Sequence, residues 1–317
     1  MHFIVTTPVL NGARYIDEAI LSVVAQAGPF TLRYHVQDGG SSDGTLAKLA
    51  AWQRRLASDF PILCDGVEFS FGSEADAGLY DAVNRGFAIC GEGAVMSWIN
   101  SDDRFEQGAF ASVAQILGAY PDVQWLCGRG AVMDEDSALI RLQPLTPYPR
   151  NAVAAGIFEG RFAPGFIMQE SVFWRSSLWD GVKGLNNKFR LAGDHDLWRR
   201  FANHADLVMV GSVLGYFRRR GGQLSEDRRP YCAEIDASLT QAEKRARRLQ
   251  SVLHQFGLLK YRVVAREHRQ DWKCKAVYGF KIGPLVVPLL KKMCRSLPNG
   301  APSSMIRESG KDQAIAE

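Results

Sequence analysis

In Arg33-Tyr34-His35-Val36-Gln37-Asp38-Gly39-Gly40-Ser41-Ser42-Asp43-Gly44-Thr45 a β-rich run ends on an acidic residue and passes into a loop of small polar residues. Leu46, Leu49, Ala50 and Leu56 follow at helical spacing, so the stretch reads as strand, loop and helix. The same unit stands before it. Phe3 to Thr7 is a short strand-like run ending at Pro8, Asn11-Gly12 breaks the chain, and Ile16, Ala19, Ile20, Val23 and Val24 mark an amphipathic helix. A further apolar strand, Ala94 to Ile99, ends at Asn100-Ser101-Asp102-Asp103. This alternation predicts an α/β fold: an open, mostly parallel sheet of Rossmann-like units, joined by right-handed crossovers and flanked by helices. Polar residues gather where the strands end, which is where such sheets hold ligands.

From Trp125 to Phe217 the pattern is mixed, with strand candidates at Val123 to Cys127, Val172 to Trp174 and Leu207 to Val210, and a helix from Asp196 to Asn203. After Gly221-Gly222 the chain is expected to be helical and basic, with a loosely ordered end from Pro298. The expected organisation is a catalytic domain over 1–225, halved at 105, followed by a basic helical extension over 226–317.

The 317 residues are 46% hydrophobic and 23% charged, ordinary globular composition. The net charge of +4 is uneven: from Tyr231 onward there are 16 Lys and Arg against 8 Asp and Glu, and the preceding body is mildly acidic. A basic end of this kind reads either as a solvated helical surface or as attraction to an anionic membrane or acidic partner. Lys281, Lys291, Lys292 and Arg295 surround the apolar run from Ile282 to Leu290, which is too short to span a bilayer. No nucleic-acid partner is expected. Six scattered cysteines without a C-x-x-C pair suggest neither zinc nor a disulfide framework, and no signal peptide is expected. These features point to a cytoplasmic protein, peripheral on the membrane if the basic end attaches.

Six segments carry candidate chemistry. Asn100-Ser101-Asp102-Asp103 offers oxygen ligands at the end of a rigid strand, suited to magnesium or manganese bridging to a diphosphate, or else an Asx-turn. Asp38 faces the crevice from the last position of its strand and could accept the ring N–H of a base, while Gly39 allows close backbone approach. Glu74-Ala75-Asp76-Ala77-Gly78 precedes a helix from Leu79, on which Tyr80, Asn84 and Phe87 share a face and Asp81 and Arg85 form an i,i+4 pair. Gly193-Asp194-His195-Asp196 opens another helix: Asp194 is either an N-cap or a general base, and a helix N-terminus should lower its pKa. His195 competes as base or metal ligand, and Asp196 is a substitute carboxylate. Gln169-Glu170-Ser171 precedes a strand, and Arg218-Arg219-Arg220-Gly221-Gly222 follows one, as either a diphosphate clamp or a solvated loop.

Taken in order, FIVTTPVLNGARYIDEAILSV, VQDGGSSDGT, EADAGLYDAVNRGF, WINSDD, QESVFWR and AGDHDLW resemble glycosyltransferase family 2 on a GT-A fold, over residues 3 to 225. The resemblance implies an inverting, metal-dependent transfer of sugar from a nucleotide-diphosphate donor, of uridine type, to a glycan or lipid-linked hydroxyl. It assigns the nucleobase to Asp38, the outer D-x-D positions to Asn100 and Asp102, and the base to Asp194. Thr7, Pro8, Gly39, Asp76, Asn84 and Arg85 would complete the donor site, and Gln169, Glu170 and Arg218 would support it. Asn100 replaces the first aspartate of D-x-D, which leaves the metal to Asp102 with Asp103. Gly193 stands where the family has an acidic residue before the base. The competing functions are a nucleotidyltransferase, disfavoured by the lack of a lysine-bearing Gly-rich loop near the first strand, and a non-catalytic glycan-binding module.

Overall fold

The computed structural model describes residues 1–90, 95–258, 260–267 and 271–278. The chain begins with β1 (His2–Val9), α1 (Ile16–Val24), β2 (Gly28–Asp38), α2 (Thr45–Ser58), β3 (Cys64–Ser73), α3 (Leu79–Cys90) and β4 (Val95–Trp98). β1 lies between β2 and β4, and β3 extends the sheet beyond β2, all in parallel. The chain continues through β5 (Arg104–Phe105), α4 (Ala109–Ala119), β6 (Trp125–Met133), β7 (Leu139–Leu142) and α5 (Arg150–Ala154). A 3-10 turn (Gln169–Ser171) leads into β8 (Val172–Arg175), followed by α6 (Ser176–Val182), α7 (Gly193–His204) and β9 (Leu207–Arg218). β8 runs antiparallel between β4 and β6. Its first residue therefore lies at the carboxyl end of β4, and the 3-10 turn comes there beside β6 and against Gly215 of β9.

Period-two alternation along these strands sorts the apolar residues into two cores, one on each face of the sheet. Ile4, Met96, Trp98, Trp125, Cys127, Trp174 and Met209 point to one face, under Phe87 of α3, Val153 of α5, and Leu197, Trp198 and Phe201 of α7. Phe3, Val5, Val95, Leu126, Phe173 and Val208 point to the other, under Ile16 and Ile20 of α1, Leu49 of α2, and Phe110 and Val113 of α4. Tryptophans dominate the first core: Trp98 stacks on Trp198 at 5.6 Å, and Trp198 on Trp125 at 5.7 Å.

Beyond Gly222 the expected helices are present as α8 (Arg228–Ser238) and α9 (Gln241–Gln255), and α8 places Ile235 in the first core. The helical expectation fails after them. β10 (Lys260–Glu267) and β11 (Asp271–Tyr278) form an antiparallel hairpin, and β10 pairs in parallel with β9. The physical reason is a period-two pattern half-hidden by basic residues: Val264 and Trp272 are buried, while Lys273 and Lys275 on the same strand as Trp272 are exposed. The basic and apolar residues from Lys281 to Arg295, and the end from Pro298, lie outside the described residues. Among the described residues no helix is long and apolar enough to cross a membrane.

Candidate active site

Asp38 closes β2 opposite Val9, the last residue of β1. Its Oδ2 accepts hydrogen bonds from the amides of Gly40 (3.0 Å) and Ser41 (2.9 Å) and from the Ser73 hydroxyl (2.6 Å). Its Oδ1 is buried and accepts none among the described residues. Burial alone would raise the pKa, but the hydrogen bonds from Ser41, Ser73 and Gly40 outweigh it and hold the carboxyl below its ordinary value. Asp38 is thus a fixed, ionised carboxylate with one oxygen committed and one not. Gly39 next to it touches the Asp76 side chain so closely that a Cβ would stand 2.8 Å from Asp76 Oδ2. The absence of a side chain is what lets the acidic loop lie against the end of β2. Asp76 Oδ1 in turn accepts the Gly78 amide at 2.9 Å, shaping the entry into α3.

The remaining donor-side candidates divide. The Thr7 hydroxyl is hydrogen-bonded to Tyr34 at 2.9 Å inside the sheet, and Pro8 is buried beside it on β1. Arg85 makes the expected ion pair with Asp81 (2.8 Å) and reaches the Ala75 carbonyl, so it braces the acidic loop. Asn84 is drawn away from a donor role: its amide bonds the Leu185 carbonyl (2.9 Å) and Asn187 (2.6 Å), and its oxygen accepts the Leu185 amide. Its function is to tie α3 to the loop before α7.

The cluster after β4 separates in the same way. Asp102 pairs through Oδ2 with Arg220 Nε at 2.8 Å, and no donor among the described residues reaches its Oδ1. Asn100 Oδ1 is buried and has no hydrogen-bond partner among the described residues, while its amide donates to Asp103 Oδ2 at 3.1 Å. Asp103 is not available as a metal ligand. It is almost wholly buried and its other oxygen accepts the Arg218 amide at 2.8 Å. Burial, reinforced by the charges of Asp102 and Glu170, pushes its pKa far up. Among the described residues no group of three or more His, Cys, Asp or Glu side chains converges as a metal cage.

Arg218 is not a phosphate clamp either. Its side chain is fully buried, with Nε on the Asp102 carbonyl (2.7 Å), Nη1 on the Asp134 carbonyl (3.0 Å) and Ser137 Oγ (2.9 Å), and Nη2 on Glu18. The guanidinium also lies over the Tyr15 ring at 4.5 Å. Arg220, two residues on and partly exposed, is the arginine that meets the carboxylate in the crevice.

Across the sheet, Asp194 is the second residue of α7. The N-cap position is Ala192 and no side chain caps the helix, so Asp194 does not serve as an N-cap. The expected fall in its pKa does not occur. Burial raises it to about 6, outweighing the backbone N–H of His195 and the Tyr80 hydroxyl, while the charge of Glu234 adds a smaller upward push. Tyr80 holds the site from α3: its hydroxyl donates to the Leu191 carbonyl at 2.7 Å and sits 3.4 Å from Asp194 Oδ1. Its ring packs so tightly on Gly193 that a Cβ there would stand 2.6 Å away, a reason for glycine where the family has an acidic residue. Asp194 opens into a small pocket lined by Phe158, Phe166, Trp198 and Tyr231.

The neighbours proposed as substitutes are committed elsewhere. His195 is buried, with Nε2 on the Gly156 carbonyl (3.2 Å), and burial lowers its pKa to about 4, so it stays neutral. Asp196 pairs with Arg200 at 2.8 Å. Gln169 donates to the Trp98 carbonyl, anchoring the 3-10 turn to β4. Glu170 is buried, its Oε1 has no hydrogen-bond partner among the described residues, and burial raises its pKa to about 8. The sequence reading missed Glu234, which stands with Asp236 on a helix that also carries Arg228 and Arg229, so nothing in its spacing sets it apart.

A doubly covered, mostly parallel sheet with carboxylates at its strand ends is the framework of a GT-A glycosyltransferase. Residues 4–181 match the model described as Glycosyl transferase family 2, and the chain belongs to that family. Over 218 residues, 68% of this chain and 75% of the relative, it is 27% identical to the Mycobacterium tuberculosis protein called "Uncharacterized glycosyltransferase Rv1514c". Two solved structures share the fold. S. aureus TarS 1-349, in complex with UDP-GlcNAc, aligns with TM-score 0.53 and 15% identity over 80% of this chain and 67% of that one. The mannosyltransferase PcManGT from Pyrobaculum calidifontis, in complex with GDP-Man and Mn2+, aligns with TM-score 0.54 and 16% identity over 79% and 69%.

Proposed function

We propose that this glycosyltransferase inverts the anomeric centre of a nucleotide-diphosphate sugar, of uridine type, and moves the sugar to a hydroxyl on a glycan or lipid-linked acceptor. The observation that carries the reading is Asp194: a carboxyl in a fixed setting, free of any capping duty, with its pKa at about 6. A general base works best with a pKa near the working pH, and a carboxyl raised by burial is a stronger base than an exposed one. In the displacement, Asp194 takes the acceptor proton as the acceptor oxygen bonds to the anomeric carbon. The bond from that carbon to the diphosphate oxygen breaks, and its electron pair leaves with the diphosphate. Tyr80 ties down the turn before the carboxylate through the Leu191 carbonyl, and the aromatic walls around the carboxylate limit water.

Asp38 would accept the ring N–H of the base through its uncommitted Oδ1, with Gly39 and Asp76 lining the approach. For the divalent cation, manganese or magnesium, the fitting oxygens are Asp102 Oδ1 and Asn100 Oδ1, a sparse set that leaves most of the coordination to donor phosphates and water. Such a cation would offset charge on the leaving diphosphate. That the two neighbours of the same fold hold UDP-GlcNAc, and GDP-Man with Mn2+, supports this assignment of donor class and cation. The same reading assigns the reaction to glycan or surface polysaccharide assembly on the cytoplasmic side of a membrane, with the catalytic residues within 1–225 and Tyr231 of α8 lining the Asp194 pocket.

Calorimetry with UDP- and GDP-sugars, with and without manganese, tests the donor reading. Asp38→Ala is expected to weaken nucleoside diphosphate binding by roughly ten- to a hundredfold, the worth of one hydrogen bond to a charged acceptor. Unchanged affinity would remove Asp38 from the base site. Asp102→Asn is expected to erase most of the gain in donor affinity that manganese confers, leaving metal-free affinity intact. A gain equal to wild type would take the cation away from Asp102.

A further inference from the structure

The segment that delivers Asp194 to the site carries its own device. Arg190, Leu191 and Ala192 lead into α7 with three successive backbone N–H groups pointing the same way. A single carboxylate receives all three: Glu234 of α8 accepts from Arg190 (2.7 Å), Leu191 (2.8 Å) and Ala192 (2.7 Å). The Leu191 carbonyl on the same stretch accepts the Tyr80 hydroxyl at 2.7 Å. The turn is therefore fixed on its donor side by α8 and on its acceptor side by α3, immediately before the first residues of α7. Helix α7 has no side-chain cap of its own, and Glu234 fixes the turn that leads into it rather than the free amides of its first turn.

Resting on the reading of Asp194 as base, we propose that Glu234 is a positioning residue for it, so that α8 completes the active site although it lies beyond the residues matched to the family. Three charge-assisted hydrogen bonds on consecutive amides leave the turn almost no freedom to rotate. Asp194, two residues past the last of those amides, inherits that fixity. The position matters because the hydrogen bonds on the Asp194 carboxyl come from the backbone of its own helix start and from a Tyr80 hydroxyl 3.4 Å away, so its place follows that of the turn. The ionisable groups facing Asp194 are Tyr80 from α3, Tyr231 and Glu234 from α8, and Glu170 from the 3-10 turn; His195 on its own helix turns to Gly156. Apart from Asp194 itself, Glu234 and Glu170 are the carboxyls of the set, and Glu170 is held protonated near neutral pH by its burial.

The test compares Glu234→Gln and Glu234→Asp with wild type in three readouts: transfer from the nucleotide sugar the wild-type chain turns over, its pH profile, and hydrogen exchange of the three amides. Glu234→Gln is expected to lower kcat about tenfold while leaving donor KM within about twofold, the pattern of a lost transition-state alignment. Its rising acidic limb should move to lower pH, because a negative charge that favoured protonated Asp194 is gone. The amides of 190–192 should exchange faster. Glu234→Asp keeps the charge but shortens the reach, so its limb should stay at the wild-type position while kcat falls. A folded Glu234→Gln with wild-type kcat and an unmoved limb overturns the proposal, as does a loss of thermal stability alone. Asp194→Asn run beside them separates the two ideas. Full transfer by that variant removes the base assignment itself, whereas its inactivity alongside a normal Glu234→Gln removes only the role of Glu234.

Discussion

Asp194→Asn is expected to lower sugar transfer by roughly a hundredfold or more, the usual loss when a general base is removed. Donor affinity and its dependence on manganese should stay at wild-type values, since the substitution keeps the shape of a side chain that does not cap its helix. The pH profile sharpens the test. The base must be ionised to accept a proton, and its pKa is about 6, so the wild-type rate should climb as pH rises through 6 and level off above it. The residual activity of the variant should lack that limb. His195→Ala and Asp196→Asn should transfer at near-normal rates, because the first side chain is a neutral imidazole held by Gly156 and the second is paired with Arg200. Collapse of either, with Asp194→Asn near normal, would move the base to that neighbour.

Arg218→Met is expected to destabilise the fold by about 3–5 kcal/mol, the range for removing one partner of a buried ion pair. The cost arises because the groups around the guanidinium lose their donors together: Glu18, Ser137 and the carbonyls of Asp102 and Asp134. Arg220→Met is the contrast. Its ion pair with Asp102 is partly open to water, so its loss should cost no more than about 1 kcal/mol. Urea unfolding of both variants measures the difference, and equal stability would mean that Arg218 is no hub.

Much of the framework could be read from residue order, because β1, β2, β4 and β8 are runs whose apolar character survives without context. β3 went unread for a physical reason: it is an edge strand with no fully buried position, so Asp65 and Glu68 break its pattern. β9 was read only to Val210 because Gly211 and Gly215 interrupt an otherwise continuous strand, and the close approach of Gly215 to the Glu170 backbone becomes visible only in three dimensions. In the site, Asp38 and Asp194 could be picked out because each stands at the end or start of a recognisable element. What the other polar residues do depends on distant partners. Asp103 and Arg218 meet across 115 positions of chain, and Asn84 meets Leu185 across 101. No local spacing announces such pairings, so a candidate ligand and a buried strut look alike until the partners are known. The fall expected in the Asp194 pKa failed for a related reason: the helix N-terminus was visible in the sequence, and the burial that outweighs it was not.

The sorting of side chains onto the two faces of the sheet has a consequence for how the molecule can fail. β4 is only four residues long, yet it sends Val95 to one core and Met96 and Trp98 to the other. A slip of one position would exchange these loads, pushing the Trp98 indole into the place of Ser97 or Ile99 on the other face, so the strand has a single tenable alignment. Nor can one core melt while the other persists, because the strands are common to both. The end of β2 at Asp38 and the helix bearing Asp194 therefore share one fate on unfolding, and loosening anywhere along β4 would be felt at both.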